Sequence, residues 1–169
     1  MKLNEDKCHL LVSNHDEDVS ATIGSELTLG KTSVKLLGVI IDNKLSFQEH
    51  VSKLCQKVSI KLHALARIAN YMSTDKLKIL MRAFIDSQFG YCPLIWMFHS
   101  RKLNTKINRL HERALKIVYK DNSLTYDELL EKDNSFTCHE KNLQKLATEM
   151  YKVINNLSPT FIEKNISRI

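Results

Sequence analysis

Turn-forming residues are scarce in this chain: 169 residues include only 4 Gly and 2 Pro, and aromatic side chains make up 7%. That scarcity excludes collagen-like, mucin-like and linker-rich chains. With 43% apolar and 26% charged residues, the composition is that of a packed, mostly helical protein with one ordinary core. No apolar run approaches the roughly 20 residues that a membrane-spanning helix needs. The longest, Phe89 to Phe98, is interrupted by Gly90 and Pro93. Met1 is followed by Lys2 and a polar, acidic stretch instead of an apolar leader, so the expected setting is intracellular, nucleus or cytoplasm, with no membrane partner.

Close cysteine pairs are also missing. Cys8, Cys55, Cys92 and Cys138 lie dozens of residues apart, and structural zinc sites use tighter spacings. Cys8–His9 and Cys138–His139 are adjacent pairs whose side chains diverge on helices and strands alike. Reduced, buried thiols and no metal site are expected. A Gly-x-Ser-x-Gly elbow and a Gly-rich phosphate loop ending in Lys-Ser/Thr are both lacking, which leaves hydrolase and NTPase readings without support.

What the chain has is basic charge in one place. The formal net charge is +6, yet residues 1–43 hold 4 basic and 7 acidic side chains and residues 121–169 hold 6 and 8. Residues 44–120 hold 15 and 4, a net +11. A concentration of that size is the electrostatic footprint of a polyanion partner, with a solvated basic face as the bland alternative.

Hydrophobic periodicity divides the chain at the same place. Cys8–Ser13, Val19–Ile23, Glu26–Leu29 and Val34–Asp42 read as short strands, with Gly24, Gly30 and Gly38 as turn or bulge positions. From Leu45 the period is helical. Ser46 and Glu49 have the spacing of a capping box, followed by an inward stripe of Val51, Leu54, Cys55, Val58, Leu62, Leu65, Ala66 and Ala69. Lys53, Lys57 and Lys61 recur on the opposite side with Arg67 close by. A second helix is expected over about Ser73–Gln88 with Leu77, Leu80, Met81 and Phe84 inward, then a buried, irregular connection around Pro93 and Trp96. There Tyr91, Trp96 and Phe98 read as core packing mixed with Leu94, Ile95 and Met97. A third helix, about Leu103–Lys120, carries Lys102, Lys106, Arg109, Arg113, Lys116 and Lys120 opposite its apolar face. Thr125 with Glu128 and Thr137 with Glu140 are further capping boxes, opening a short helix and a longer one closed by Pro159. The two basic stripes contain almost no acid, so a phosphate-binding surface is the favoured reading.

Lys2-Leu3-Asn4-Glu5-Asp6-Lys7-Cys8-His9-Leu10-Leu11-Val12, then Val34 through Asp42, Leu45-Ser46-Phe47 and His50-Val51, together resemble the end of a reverse transcriptase of the non-LTR retrotransposon type, jockey-like and CR1-like elements being nearest. Ser87 through Arg101, Lys106 through Ala114, and Leu146-Ala147 to Tyr151-Lys152 with Ser158-Pro159 look like the region that follows the polymerase core in these elements. The resemblance covers roughly residues 2–163. It implies that Asn4 and Lys7 belong to the motif closing the nucleotide side of the palm, that Leu36, Leu37 and Gly38 form a primer-grip hairpin, and that the later helices are a thumb holding template–primer duplex.

Reverse transcription needs carboxylates that hold two Mg²⁺ ions, and in this family an adjacent Asp-Asp pair supplies part of them. The chain contains no Asp-Asp pair, and Asp16, Glu17 and Asp18 read as a solvated loop. The expectation is therefore an α+β, mostly α protein in three segments: a palm remnant and primer-grip strands over 1–43, a basic thumb-like bundle over 44–120 and a helical extension over 121–169, about five helices in all. It would not be an enzyme by itself and would carry no cofactor. Its partner would be nucleic acid, with the missing polymerase core as a second. Rival readings are a protein-interaction module and a gene-model fragment with no selected role.

Overall fold

A computed structural model describes residues 8–13, 19–23 and 26–159. Four strands, β1 (Ser20–Ile23), β2 (Glu26–Leu29), β3 (Ser33–Leu36) and β4 (Val39–Asp42), form two separate antiparallel hairpins, β1 with β2 and β3 with β4. The helices are α1 (Gln48–Ile68), α2 (Thr74–Met81), α3 (Ser87–Phe89), α4 (Pro93–Trp96), α5 (Arg101–Tyr119), α6 (Tyr126–Asp133) and α7 (Cys138–Ile154). The fold is α+β and mostly α. Cys8–Ser13 is not a full strand: its pairing is a single parallel bridge from Leu10 to Gly30, with the Lys31 N–H donating to the Leu10 carbonyl at 2.9 Å.

The stretch Val34–Asp42 is two strands instead of one. Leu36 faces Val39 across a two-residue loop in which Leu37 has φ 47° and Gly38 φ 90°. Positive φ at both central residues is the turn whose twist matches a hairpin. Val39 is buried and β4 rests on α1, where the Ile40 N–H donates to His50 Nδ1 at 3.3 Å. Burial and, secondarily, the nearby Lys57 charge hold the His50 pKa below its usual value, which keeps that acceptor neutral.

α1 begins differently from the Ser46–Glu49 expectation. Phe47, the N-cap, sits at φ 53° and its side chain caps nothing. The Asp42 carboxylate instead accepts from the backbone N–H groups of Lys44, Ser46 and Phe47, at 3.2, 3.0 and 2.7 Å. Glu49 is left free to pair with Lys53. The two later capping boxes form as expected, Thr125 with Glu128 and Thr137 with Glu140.

α2 and α3 run on through a π-turn, Arg82–Asp86. A π-turn takes in one extra residue, so the buried line is Leu77, Met81, Ile85 and Phe89. Phe84, expected inward, is exposed, and so is Ala66 on α1. One hydrophobic cluster runs from Val39 in β4 to Cys138 in α7, so all three sequence segments share a core. α5 lies at its centre, packed on α1, α2, α6 and α7. A buried polar cluster ties α2, α5 and α6 together: Asp133, 4% exposed, accepts from Lys78 at 2.7 Å and from the Tyr119 hydroxyl at 2.8 Å. None of the helices among the described residues is long and apolar enough to cross a membrane.

Candidate nucleic-acid interface

The second hairpin, α1 and the turn after α3 enclose a cleft of about 370 Å³. Lys35, Lys53 and Lys57 line it together with His50, Gln88 and Tyr91. Each lysine arrives by a local rule. Lys53 and Lys57 are one helical turn apart on α1, and Lys35 is the exposed strand residue facing Ile40 across the hairpin. The hairpin turn stands at the mouth: Leu36 and Leu37 are exposed, Gly38 lines the cleft, and the Tyr91 hydroxyl donates to the Leu37 carbonyl at 2.6 Å. A Cβ on Gly38 would meet the Tyr91 ring at 3.5 Å. Three ammonium groups around an open cleft, next to a turn that is pinned in place, form an arrangement able to accept phosphate oxygens.

The other expected residues are spread more widely. Lys61 lines a separate apolar hollow with Ile68, Leu80 and Phe84. Lys106, Arg109, Arg113, Lys116 and Lys120 stand on α5 or at its end, and Arg67 near the end of α1; none of them lines the cleft. Nor are the stripes as free of acid as the spacing suggested. Lys53 is paired with Glu49 at 2.7 Å and Lys116 with Glu112 at 2.8 Å, each one turn away on its own helix. Lys120 donates to the Met72 carbonyl at 3.0 Å. Lys57, Arg67, Lys106, Arg109 and Arg113 make no ion pair among the described residues.

Asn4 and Lys7 lie outside the described residues, as do Asp16, Glu17 and Asp18. Among the described residues, no three His, Cys, Asp or Glu side chains come together in a way that could hold a metal ion. Of the aromatic residues, Trp96 is fully buried as expected, whereas Tyr91 and Phe98 are exposed. Sequence reasoning missed Lys35, His50 and Tyr91 as a group, because only the hairpin and the turn after α3 bring them together. The one local signal is the charge of Lys35 in an otherwise uncharged strand, which favours an outward side chain. No protein family, curated protein or solved structure matches the chain.

Proposed function

We propose that this chain binds nucleic-acid duplex through its basic helical surface, as the thumb part of a non-LTR retrotransposon RNA-directed DNA polymerase whose catalytic core it lacks. The observation that carries the reading is the convergence of Lys35, Lys53 and Lys57 on one cleft beside the exposed Leu36–Gly38 turn, within a protein whose positive excess is confined to residues 44–120. Lysine and arginine on helix faces address phosphates instead of base edges, so binding is duplex-preferring and largely independent of sequence. The turn would support a strand end while the α1 and α5 cations hold the backbone.

The test is fluorescence anisotropy with a labelled RNA–DNA hybrid at moderate salt. Saturable binding that is weakened by Lys35→Gln with Lys57→Gln supports the reading, and absence of binding removes it. Primer extension with Mg²⁺ and nucleotides is expected to give no product, because the polymerase carboxylates are not in this chain; template-dependent extension by pure protein would contradict that.

A second reading, a protein-interaction module, is favoured by α7. Leu143, Met150, Ile154 and, just beyond the helix, Leu157 are exposed. A pull-down that retains the missing polymerase core through this stripe would favour it.

A further inference from the structure

α7 buries its amphipathic pattern only in part. Cys138 and Asn142 are buried, Lys141, Leu146 and Val153 are half-buried, and Leu143, Met150 and Ile154 face solvent. Burying Asn142 and half-burying Lys141 while three large apolar side chains stay outward is unfavourable on packing grounds alone. Asn142 and Lys141 line a cavity of about 500 Å³ between α7 and the end of the π-turn, a volume within the range of small-molecule sites. Buried Phe89 and Cys138 give it an apolar wall.

The polar groups around it are under-used. Asn142 lines the cavity, is only 6% exposed, and its side-chain amide makes no hydrogen bond among the described residues, while its polar atoms are not fully closed off from solvent. An amide with its donors and acceptor uncommitted to the protein and opening onto a cavity is available to a ligand group. Asp86, delivered by the π-turn, keeps Lys141 Nζ at 3.8 Å from its Oδ2, and its buried Oδ1 faces His111 Nε2 at 3.6 Å, beyond hydrogen-bond distance. Lys145 Nζ reaches the Gly90 carbonyl at 3.4 Å, a long and weak contact. Both ammonium groups are therefore loosely held, four residues apart on one helix face, at the rim of a cavity with an unpaired amide inside.

We propose that this cavity binds a small organic anion of nucleotide size, its anionic group between Lys141 and Lys145 and a planar hydrogen-bonding head against Phe89 and the Asn142 amide. A nucleoside monophosphate has both parts: its phosphate suits two lysines, and asparagine pairs well with the hydrogen-bonding edge of adenine. The cavity shares no lining residue with the lysine cleft of the second hairpin, so the two sites are separable.

The experiment is titration of the full chain, followed by amide chemical shifts, with adenosine 5′-monophosphate, ribose 5-phosphate and inorganic phosphate as probes. Adenosine monophosphate is expected to saturate shifts at Phe89, Gly90, Asn142 and Lys145. Lys141→Met with Lys145→Met should weaken it by at least about tenfold, and Asn142→Ser should weaken adenosine monophosphate while sparing inorganic phosphate. The lysine variants carry the test if Asn142→Ser fails to fold. Absence of saturable shifts, shifts confined to the Lys35–Lys57 cleft, or binding untouched by the lysine variants would overturn the site. Inorganic phosphate binding as tightly as adenosine monophosphate would overturn the two-part ligand.

Discussion

Tyr91 and Leu37 are joined by a 2.6 Å hydrogen bond, hydroxyl to carbonyl, across 54 positions of sequence. The Tyr91 carbonyl in turn accepts from Trp96 Nε1 at 2.9 Å, and Trp96 is fully buried. The exposed tip of the second hairpin is thus fastened to the core through one tyrosine, while β1–β2 is a hairpin paired only with itself in its sheet.

Tyr91→Phe should remove the fastening without unfolding the protein. A partly exposed hydrogen bond contributes about 0.5–1 kcal/mol, so the midpoint of denaturation should move little. Hydrogen exchange at residues 36–40 should quicken clearly. In the unaltered chain β1–β2 should exchange faster than β3–β4. Unchanged exchange at 36–40 in the variant would show that the turn holds itself.

Asp42→Ala should destabilise the start of α1 by about 1–2 kcal/mol, the usual range for a lost cap, measured by denaturant unfolding. Burial pushes the Asp42 carboxyl up, but hydrogen bonds from Ser46 and Phe47 outweigh it and hold the pKa below its usual value. A depressed acid stabilises the fold above its unfolded pKa, near 3.8, and that contribution is lost as pH falls through the folded value. The penalty of the variant should therefore shrink toward pH 2. A penalty equally large in strong acid would mean that the carboxylate charge is not what caps the helix.

These two contacts mark where sequence reading stopped. Thr125–Glu128 and Thr137–Glu140 were legible because a capping box is complete within four residues. Ser46–Glu49 has the same spacing, but Phe47 entered the left-handed region and Asp42, from the end of β4, took the N–H groups first. The inward stripe of α1 was readable from its period. That of α2 was not, because one extra residue in the π-turn moved Phe84 out and Ile85 in. In α7 the meeting of Lys141 and Asn142 with Asp86 and Phe89 depends on how the helix docks, which periodicity cannot place. The cleft was half legible: Lys53 and Lys57 came from spacing, and Lys35 only from the fold.

His111 should make the protein acid-sensitive. It is fully buried, its Nδ1 lies 2.8 Å from the Tyr126 hydroxyl, and burial pushes its pKa down from 6.5 to about 4. The unfolded chain takes up that proton near pH 6.5 and the folded one does not, so the contribution is fully present above pH 6.5 and falls away as pH drops toward 4. The full loss is on the order of 3 kcal/mol. Asp86, whose pKa burial raises, works the other way and offsets part of it. His111→Gln should flatten the fall in stability between pH 6.5 and pH 4, read by urea unfolding at each pH. The same steepness in the variant would assign acid sensitivity to another group.

The strongest test of the nucleic-acid surface uses the acids inside it. Lys57, Arg67, Lys106, Arg109 and Arg113 are free of ion pairs among the described residues. If these five and Lys35 of the cleft contact duplex phosphates, log K against log salt should have a slope of about −5. Arg109→Gln with Arg113→Gln should reduce its magnitude by about 2, whereas Lys132→Gln with Lys152→Gln, in the acidic C-terminal segment, should change it much less. Removing charge of the opposite sign should do the reverse. Glu49→Gln releases Lys53 and Glu112→Gln releases Lys116, and each should steepen the slope by about 1 and tighten binding at low salt. Exposed helix pairs of this kind contribute only about 0.3–0.5 kcal/mol to stability, so the fold should tolerate both changes. A net-charge effect alone would make Glu128→Gln, which sits in the α6 cap, equally effective. Equal tightening from that control would mean that position does not matter, and the α1 and α5 faces would then have no claim to be the binding surface.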